Sequence, residues 1–157
     1  MYRNKGGQTV IELIVVLPVF MMIIFVLLEL GNIAYHTLLA HHISYELARV
    51  GSMVGVKKAS GQADSTRMQN KMRTALSQMI GSSDPGKKVR FSSKVVRTGN
   101  DPQVRFHHNE DLVVNIVYRV DLAYPLTSYI FASEPKRLGI LWLKANARMP
   151  IEKPLLN

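Results

Sequence analysis

Residues 13–28 read LIVVLPVFMMIIFVLL, a run of sixteen residues without a charge, an amide or a hydroxyl group. At the helical rise this run spans about 24 Å, which is shorter than a hydrocarbon core of about 30 Å. A helix that crosses a bilayer here must therefore begin earlier, within Gln8–Glu12. The sequence predicts a transmembrane helix over residues 8–30, with Glu12 inside the bilayer or at its edge.

The residues on either side of this run predict its orientation. Arg3 and Lys5 precede it and residues 1–7 contain no acid, so the positive-inside rule keeps the N-terminus in the cytoplasm. Residues 31–157 are then expected to form an extracytoplasmic domain. A cleaved secretory signal peptide is the first rival interpretation, but the apolar run is longer than a usual signal core and no small-residue cleavage site follows Leu30.

The overall composition allows one folded domain besides the transmembrane helix and indicates anionic partners. The chain has 157 residues, of which 47% are hydrophobic, so its size and composition predict one core and no second full domain. Twenty Lys and Arg against eleven Asp and Glu give a formal net charge of +9, which suits lipid head groups, acidic proteins or nucleic acid. The chain has no cysteine, which excludes disulfides, thiolate metal sites and cysteine nucleophiles.

Glu12 distinguishes this segment from a plain single-pass anchor, the second rival interpretation. A carboxylate costs about 2 to 3 kcal/mol near the bilayer centre and less at its edge. An anchor gains nothing from that cost, so we expect the carboxylate to have a partner.

The residues that lead to Glu12, Gly7-Gln8-Thr9-Val10-Ile11, resemble the processing site of type IV pilin-like proteins. The resemblance implies that a prepilin peptidase cuts between Gly7 and Gln8, which leaves Glu12 as the fifth residue of the mature chain. It also implies that the Glu12 carboxylate pairs with the new terminal amine of a neighbouring subunit when helices bundle into a filament. A cut after Gly6 is the alternative, and it would move Glu12 one position further in.

A longer stretch is similar to the TadE-like pseudopilins of tight-adherence systems. It runs from Gly6 to Ser52 and includes Leu17-Pro18 and Glu29-Leu30-Gly31; Lys144–Met149 also resembles the last strand of that family, with Glu152 after it. Leu13 follows Glu12 where these families often have an aromatic residue, which fits a minor pilin better than a major one. The partners implied are the prepilin peptidase, other pilin and pseudopilin subunits, inner-membrane lipid and the inner-membrane pilus assembly platform.

Pro18 lies inside the predicted transmembrane helix. Proline removes one backbone hydrogen bond and bends a helix, and membrane helices tolerate this. Two interpretations stay open: the kink has no further role, or it shapes packing against other subunits and helps the helix to leave the bilayer.

Helical periodicity continues beyond Gly31 and predicts two more helical segments. An apolar stripe is expected on one face of the first, formed by Tyr35, Leu39, Ile43, Leu47 and Val50. Gly51 and Gly55 should weaken this helix before a connector at residues 57–62. A second helix is expected from Asp64 or Ser65 to just before Gly81, with an apolar face of Met68, Met72, Ala75, Leu76 and Met79.

The second half of the chain alternates with period two, which is typical of strands. After a turn at Asp84-Pro85-Gly86, two strands and a polar loop between Gly99 and Asp111 form a predicted long hairpin, with faces that begin at Val89 and at Leu112 and end at Val95 and at Leu122. An irregular stretch or one short helical turn should follow Pro125, and Ile140–Met149 supplies a third strand. The predicted fold is α+β and pilin-like: a long N-terminal helix, a second helix and a small antiparallel sheet of about three strands.

The sequence contains no pattern that is typical of a catalytic or metal-binding site. No nucleophile elbow, phosphate loop or paired active-site carboxylates are visible, so we predict no enzymatic activity and no cofactor. His36 and His41 are five residues apart, whereas a helical pair of metal ligands requires four. His107 and His108 lie in the polar loop, and we predict no metal site there.

Basic residues between positions 57 and 97 have two interpretations. A solvated polar face is favoured because these residues are not interleaved with the aromatic side chains that stack on single strands. Binding of nucleic acid is the minority interpretation. The residues are Lys57, Lys58, Arg67, Lys71, Arg73, Lys87, Lys88, Arg90, Lys94 and Arg97.

Two functional hypotheses follow from the sequence. The first is a non-enzymatic minor pilin, processed after Gly7 and used in the assembly or initiation of a Tad (type IVc-like) adhesive pilus. The second is an unprocessed, membrane-tethered binding module that presents a basic domain, with DNA as one conceivable ligand.

Overall fold

The computed structural model describes residues 5–54, 65–81, 85–100 and 108–151. Its three strands form one antiparallel sheet in the order β1-β2-β3. The predicted α+β fold, with a long N-terminal helix, a second helix and three strands, is confirmed. The elements are α1 (Lys5–Val54), α2 (Ser65–Ile80), β1 (Val89–Asn100), β2 (His108–Asp121), α3 (Thr127–Phe131) and β3 (Ile140–Pro150).

The helix α1 is continuous over 50 residues and includes Pro18. The helical conformation continues through Gly51 to Val54. A Cβ atom built on Gly51 would lie 2.9 Å from the Met72 sulfur and closer still to a Leu112 methyl group. Gly51 therefore allows α2 and β2 to approach the helix closely. The predicted connector at residues 57–62, with Gly55 before it, lies outside the described residues.

The described residues divide into two compact units. The proximal unit contains α1 up to Tyr35 together with Val120–Leu141. The sheet unit contains His36–Arg119 and the chain from Trp142 onward.

The core of the sheet unit is built from one face each of α1, α2 and the sheet. Strands β1 and β2 pair antiparallel from Val89 opposite Tyr118 to Val95 opposite Leu112, with a bulge between Arg97 and Gly99. The predicted strand faces are therefore confirmed up to Val120. The buried apolar residues of this unit are Ala40, Ile43, Leu47, Ala48, Met68, Met72, Leu76, Val89, Leu112, Val114, Ile116, Tyr118, Ala145 and Ile151.

The buried face of α1 differs from the predicted stripe at its start. Tyr35 is 64% exposed, so its inclusion was wrong. The buried face carries small side chains instead, because Ala40, Ser44 and Ala48 are almost fully covered. Side chains of this size bring a helix close to its neighbours, and their low hydrophobicity hid them from a search for apolar periodicity.

The structure differs from the sequence prediction in the last turn of α2 and in the chain after β2. Met68, Met72 and Leu76 are buried as predicted, but Met79 is 41% exposed in the last turn. Gly81 follows with φ +62° and donates its N–H to the Ser77 carbonyl, as a helix C-terminus requires. After β2 the chain forms two short helical segments rather than one, at Thr127–Phe131 and Lys136–Leu138.

Candidate functional site

The first half of α1 exposes apolar side chains on all of its sides. Large apolar residues from Val10 to Leu28 are 39% to 65% exposed, apart from a short half-buried stretch at Ile24–Val26. An 18-residue window of this helix has a mean hydropathy of 3.0 and none of it is buried. The helix is long and apolar enough to cross a membrane, and it is compatible with a single-pass membrane anchor.

The predicted processing site lies in the first turns of the same helix. Gly7 is exposed, and a Cβ atom built on it would meet nothing within 4 Å. Gln8 follows within the helical backbone. Cleavage between the two residues is not tested by these observations and stays a prediction.

Glu12 and Pro18 both lie on the exposed part of α1. Glu12 is exposed one turn after Gln8, at the edge of the apolar surface. Pro18 is exposed within the continuous helix. Pairing of the Glu12 carboxylate with the amine of a neighbouring chain is not tested by its exposure and stays a prediction.

A second carboxylate, Glu29, is held by several hydrogen bonds within the proximal unit and was missed as a functional residue. Its side chain is 0% exposed. One oxygen, Oε2, accepts hydrogen bonds from the backbone N–H of Ala123 at 3.1 Å and of Tyr124 at 2.9 Å. The other, Oε1, accepts one from the Asn32 amide at 2.9 Å. These bonds satisfy a charge that would otherwise be costly to bury.

Two further contacts fix the same segment on α1. The Thr127 hydroxyl lies 2.9 Å from Glu29 Oε2 and 2.7 Å from the Tyr124 carbonyl oxygen, so its single proton serves one acceptor at a time. The rings of Phe25 and Tyr124 stack with their centroids 5.9 Å apart. Glu29 and Phe25 are four residues apart, on the same face of the helix. Together they hold the chain that follows β2 against α1.

Two sequence signals included Glu29: the TadE-like resemblance, which contains Glu29-Leu30-Gly31, and a local spacing. Glu29 and Asn32 are three residues apart, which allows a hydrogen bond along a helix. Directly after an apolar run, however, a glutamate is equally typical of the end of a membrane span. Its other partners lie 94 to 98 residues further along the chain and cannot be recognised from the residues near Glu29.

The histidines do not form a metal site in the described part of the chain. Over residues 5–54, 65–81, 85–100 and 108–151, no three histidine or carboxylate side chains lie close enough to hold an ion. His41 and His42 are exposed on α1, and the His36 ring packs on Tyr118 with centroids 5.5 Å apart. His107 lies outside the described residues.

The basic residues of α2, β1 and the turn between them are all exposed. Those on β1 line an edge strand, where charge discourages pairing with another sheet. Arg73 and Arg90 also border an open cleft of about 330 Å³ whose other walls include Leu76 and Phe91. The exposed set is Arg67, Lys71, Arg73, Lys87, Lys88, Arg90, Lys94 and Arg97; Lys57 and Lys58 lie outside the described residues.

Comparison with known proteins finds a family match that covers most of α1. No curated protein and no solved structure matches the chain. The family model described as TadE-like protein matches residues 7–49. The matched range begins at Gly7 and contains Glu12, Pro18 and Glu29, and it indicates a connection with Tad pilus systems and their components. Over residues 7–49 the chain is thus similar to the TadE-like protein family, and the resemblance seen in its sequence is confirmed there.

Proposed function

We propose that this protein is a minor pilin, cut by a prepilin peptidase, that takes part in the assembly or initiation of a Tad (type IVc-like) adhesive pilus. It acts as a structural subunit and not as an enzyme. The observation that carries the proposal is the exposed apolar surface of Val10–Leu28, interrupted near its start by Glu12 and matched there by the TadE-like family.

The exposed apolar surface suits two surroundings in succession. Before assembly, the helix spans the inner membrane once, with its N-terminus in the cytoplasm, and lipid covers the surface on all sides. In a filament, apolar helices of other pilin and pseudopilin subunits replace the lipid. A surface that is apolar all round requires no change of the helix between the two states.

Glu12 sets the register of the packed helices. Cleavage between Gly7 and Gln8 creates a terminal amine, and the Glu12 carboxylate of a neighbouring subunit pairs with it. In an apolar bundle an unpaired charge costs several kcal/mol, whereas a buried ion pair is close to neutral. The pair therefore adds little stability but penalises every arrangement in which one charge lacks its partner. Pro18, six residues further along, bends the helix within the same surface.

Intact mass spectrometry of the membrane-extracted protein tests the processing step. In cells that contain the prepilin peptidase and the inner-membrane pilus assembly platform, we expect the mass of residues 1–7 to be lost. Cells without the peptidase are the control and should retain it. Full-length protein in both strains would overturn the proposal and would favour the second candidate, an unprocessed membrane tether.

A matched pair of glutamate variants tests the register step. Glu12→Ala should still be cut, since the residues at the cleavage site are unchanged, but it should be lost from purified filaments. Glu46→Ala is the control, because Glu46 lies further along α1 outside the apolar surface and forms a 3.7 Å ion pair with Arg49. Equal amounts of both variants in filaments would remove the role of Glu12.

The exposed basic residues are the observation that keeps the membrane tether as a second candidate. A tether that binds nucleic acid would retard DNA at low salt and release it as salt is raised, because phosphate contacts displace counterions. No retardation by the detergent-solubilised chain at low salt would exclude nucleic acid as its ligand.

A further inference from the structure

The proximal unit contains a second apolar surface, which lies outside α1. Within residues 122–141, here named the interfacial segment, four large apolar side chains are more than half exposed. They are Leu126 at 56%, Tyr129 at 71%, Ile130 at 57% and Leu138 at 64%. Apolar side chains that are exposed together in one short segment are typical of a site that contacts a membrane or another protein.

The interfacial segment is closed on itself and cannot easily fold these residues away. The Leu122 N–H donates to the Gly139 carbonyl, and the Ser133 N–H donates to the Ile140 carbonyl, both at 2.8 Å. Leu126 has φ +68°, a left-handed conformation that disfavours residues other than glycine. The contacts of Glu29 with Tyr124 and Thr127, on both sides of Leu126, hold this conformation in place.

The height of the interfacial segment along α1 is fixed by Glu29. This residue directly follows Leu28, the last residue of the exposed apolar run. The hydrocarbon core of a bilayer is about 30 Å thick, and head groups add roughly 5–7 Å on each side. If the run ends where the hydrocarbon ends, the backbone bound to Glu29 lies at the level of the head groups.

The chemistry of the interfacial segment agrees with that level. Aromatic side chains such as Tyr129 concentrate at membrane interfaces, where one end is apolar and the other is wet. Lys136 and Arg137 are exposed and outnumber the nearby Glu134, which favours anionic lipid head groups. Lys136 also donates to the Tyr129 carbonyl at 2.9 Å, so the charge and the aromatic ring belong to one small structure.

We propose that the interfacial segment docks on the bilayer that α1 spans, at the leaflet where the helix leaves it. Leu126, Tyr129 and Ile130 enter the boundary between head groups and acyl chains, and Glu29 sets their depth. This inference rests on the membrane insertion of the proposed function but not on processing or pilus assembly.

Depth-dependent quenching tests the docking in the full chain. The protein has no cysteine, so a single introduced thiol carries one fluorophore. The chain is reconstituted in vesicles of phosphatidylcholine and phosphatidylglycerol that contain nitroxide lipids, with the nitroxide either near the head group or near the bilayer centre. Ile130→Cys is the test variant, with Tyr129→Cys as a second site. Ile14→Cys marks the membrane span, and Gln69→Cys marks an exposed site on α2.

The label at residue 130 should lose fluorescence mainly to the nitroxide near the head group, because interfacial segments enter the bilayer by about 5–10 Å. The label at residue 69 should lose none, and the label at residue 14 should respond to the deep nitroxide. Quenching at residue 14 but not at residues 129 and 130 overturns the docking while the membrane span stands. Absence of quenching at residue 14 overturns the span and the docking with it.

Two additional measurements separate lipid from protein contact and test Glu29. Quenching at residue 130 that does not change with the protein-to-lipid ratio supports lipid contact. Shielding that appears only at a high ratio overturns the proposal and identifies a second subunit as the occupant. Adding Glu29→Ala should reduce quenching at residue 130 without changing it at residue 14. Unchanged quenching at residue 130 would show that Glu29 does not set the depth.

Discussion

The two halves of α1 differ in how far their apolar side chains are covered by the rest of the chain. From Val10 to Leu28 large apolar side chains face outward around the helix. From Ala40 to Gly51 one face is covered by its own sheet unit, and that face is built largely from small residues. The first half therefore requires cover from outside the chain, such as lipid or other helices. The second half is already covered, so its interactions are decided within the chain.

The largest expected effect sharpens this comparison with two leucines of the second half. Leu47 is 0% exposed, whereas Leu38 is 72% exposed on the opposite side of the helix. Leu47→Ala should lower the free energy of unfolding by about 2 to 5 kcal/mol, because it removes buried contacts and leaves a cavity. Leu38→Ala should change it by less than about 0.5 kcal/mol.

Urea unfolding of the full chain in detergent micelles measures both variants. The sole tryptophan, Trp142, belongs to the sheet unit and reports its unfolding by fluorescence. Similar losses for the two variants would mean that detergent or another subunit covers Leu38 as well. The second half of α1 would then resemble the first.

Glycines at two positions of α1 give the next largest effect. Gly51→Ala should destabilise the sheet unit by about 1 to 2 kcal/mol, because the new methyl group overlaps Met72 and Leu112. The free-energy cost of this overlap should exceed the gain in helix stability from alanine. Gly31→Ala has open space around the new atom and should stabilise the helix by about 0.5 to 1 kcal/mol.

The same urea titration measures the free energy of unfolding of Gly51→Ala. For Gly31→Ala, circular dichroism follows the helix content during heating. A gain in stability from Gly51→Ala would contradict the close packing of α2 and β2 on this face. A loss from Gly31→Ala would indicate that another surface already packs against Gly31 in the micelle.

The membrane-like half of α1 could be predicted from sequence because its signal is local. The run of residues 13–28 is apolar whatever surrounds it, and the motif from Gly7 to Glu12 is contiguous. The class and order of the helices and strands were also predictable, since periods of 3.6 and 2 reflect which face is buried. These features required no knowledge of contacts between distant parts of the chain.

Two features that the sequence did not predict depend on distant contacts. The partners of the buried Glu29 carboxylate, the backbone N–H groups of Ala123 and Tyr124 and the Thr127 hydroxyl, come from far along the chain. The burial of Ala40, Ser44 and Ala48 likewise depends on the elements that pack against them. A search for large apolar side chains at helical spacing selects tyrosine before alanine and serine. It takes no account of the distance between packed elements.

The smallest expected effect concerns the charged side of the second half of α1. Arg49 and Glu46 form an ion pair at 3.7 Å, and the arginine side chain is 54% exposed. Arg49→Ala should lower the free energy of unfolding by no more than about 0.5 kcal/mol, since water screens such pairs and holding both side chains costs entropy. The effect should shrink further when salt is raised to 1 M in the same titration. Burial, and not charge, would then account for the stability of this half, because one covered leucine outweighs the pair severalfold. A loss that approaches that of Leu47→Ala would reverse this order and would place Arg49 in a contact with another part of the assembly.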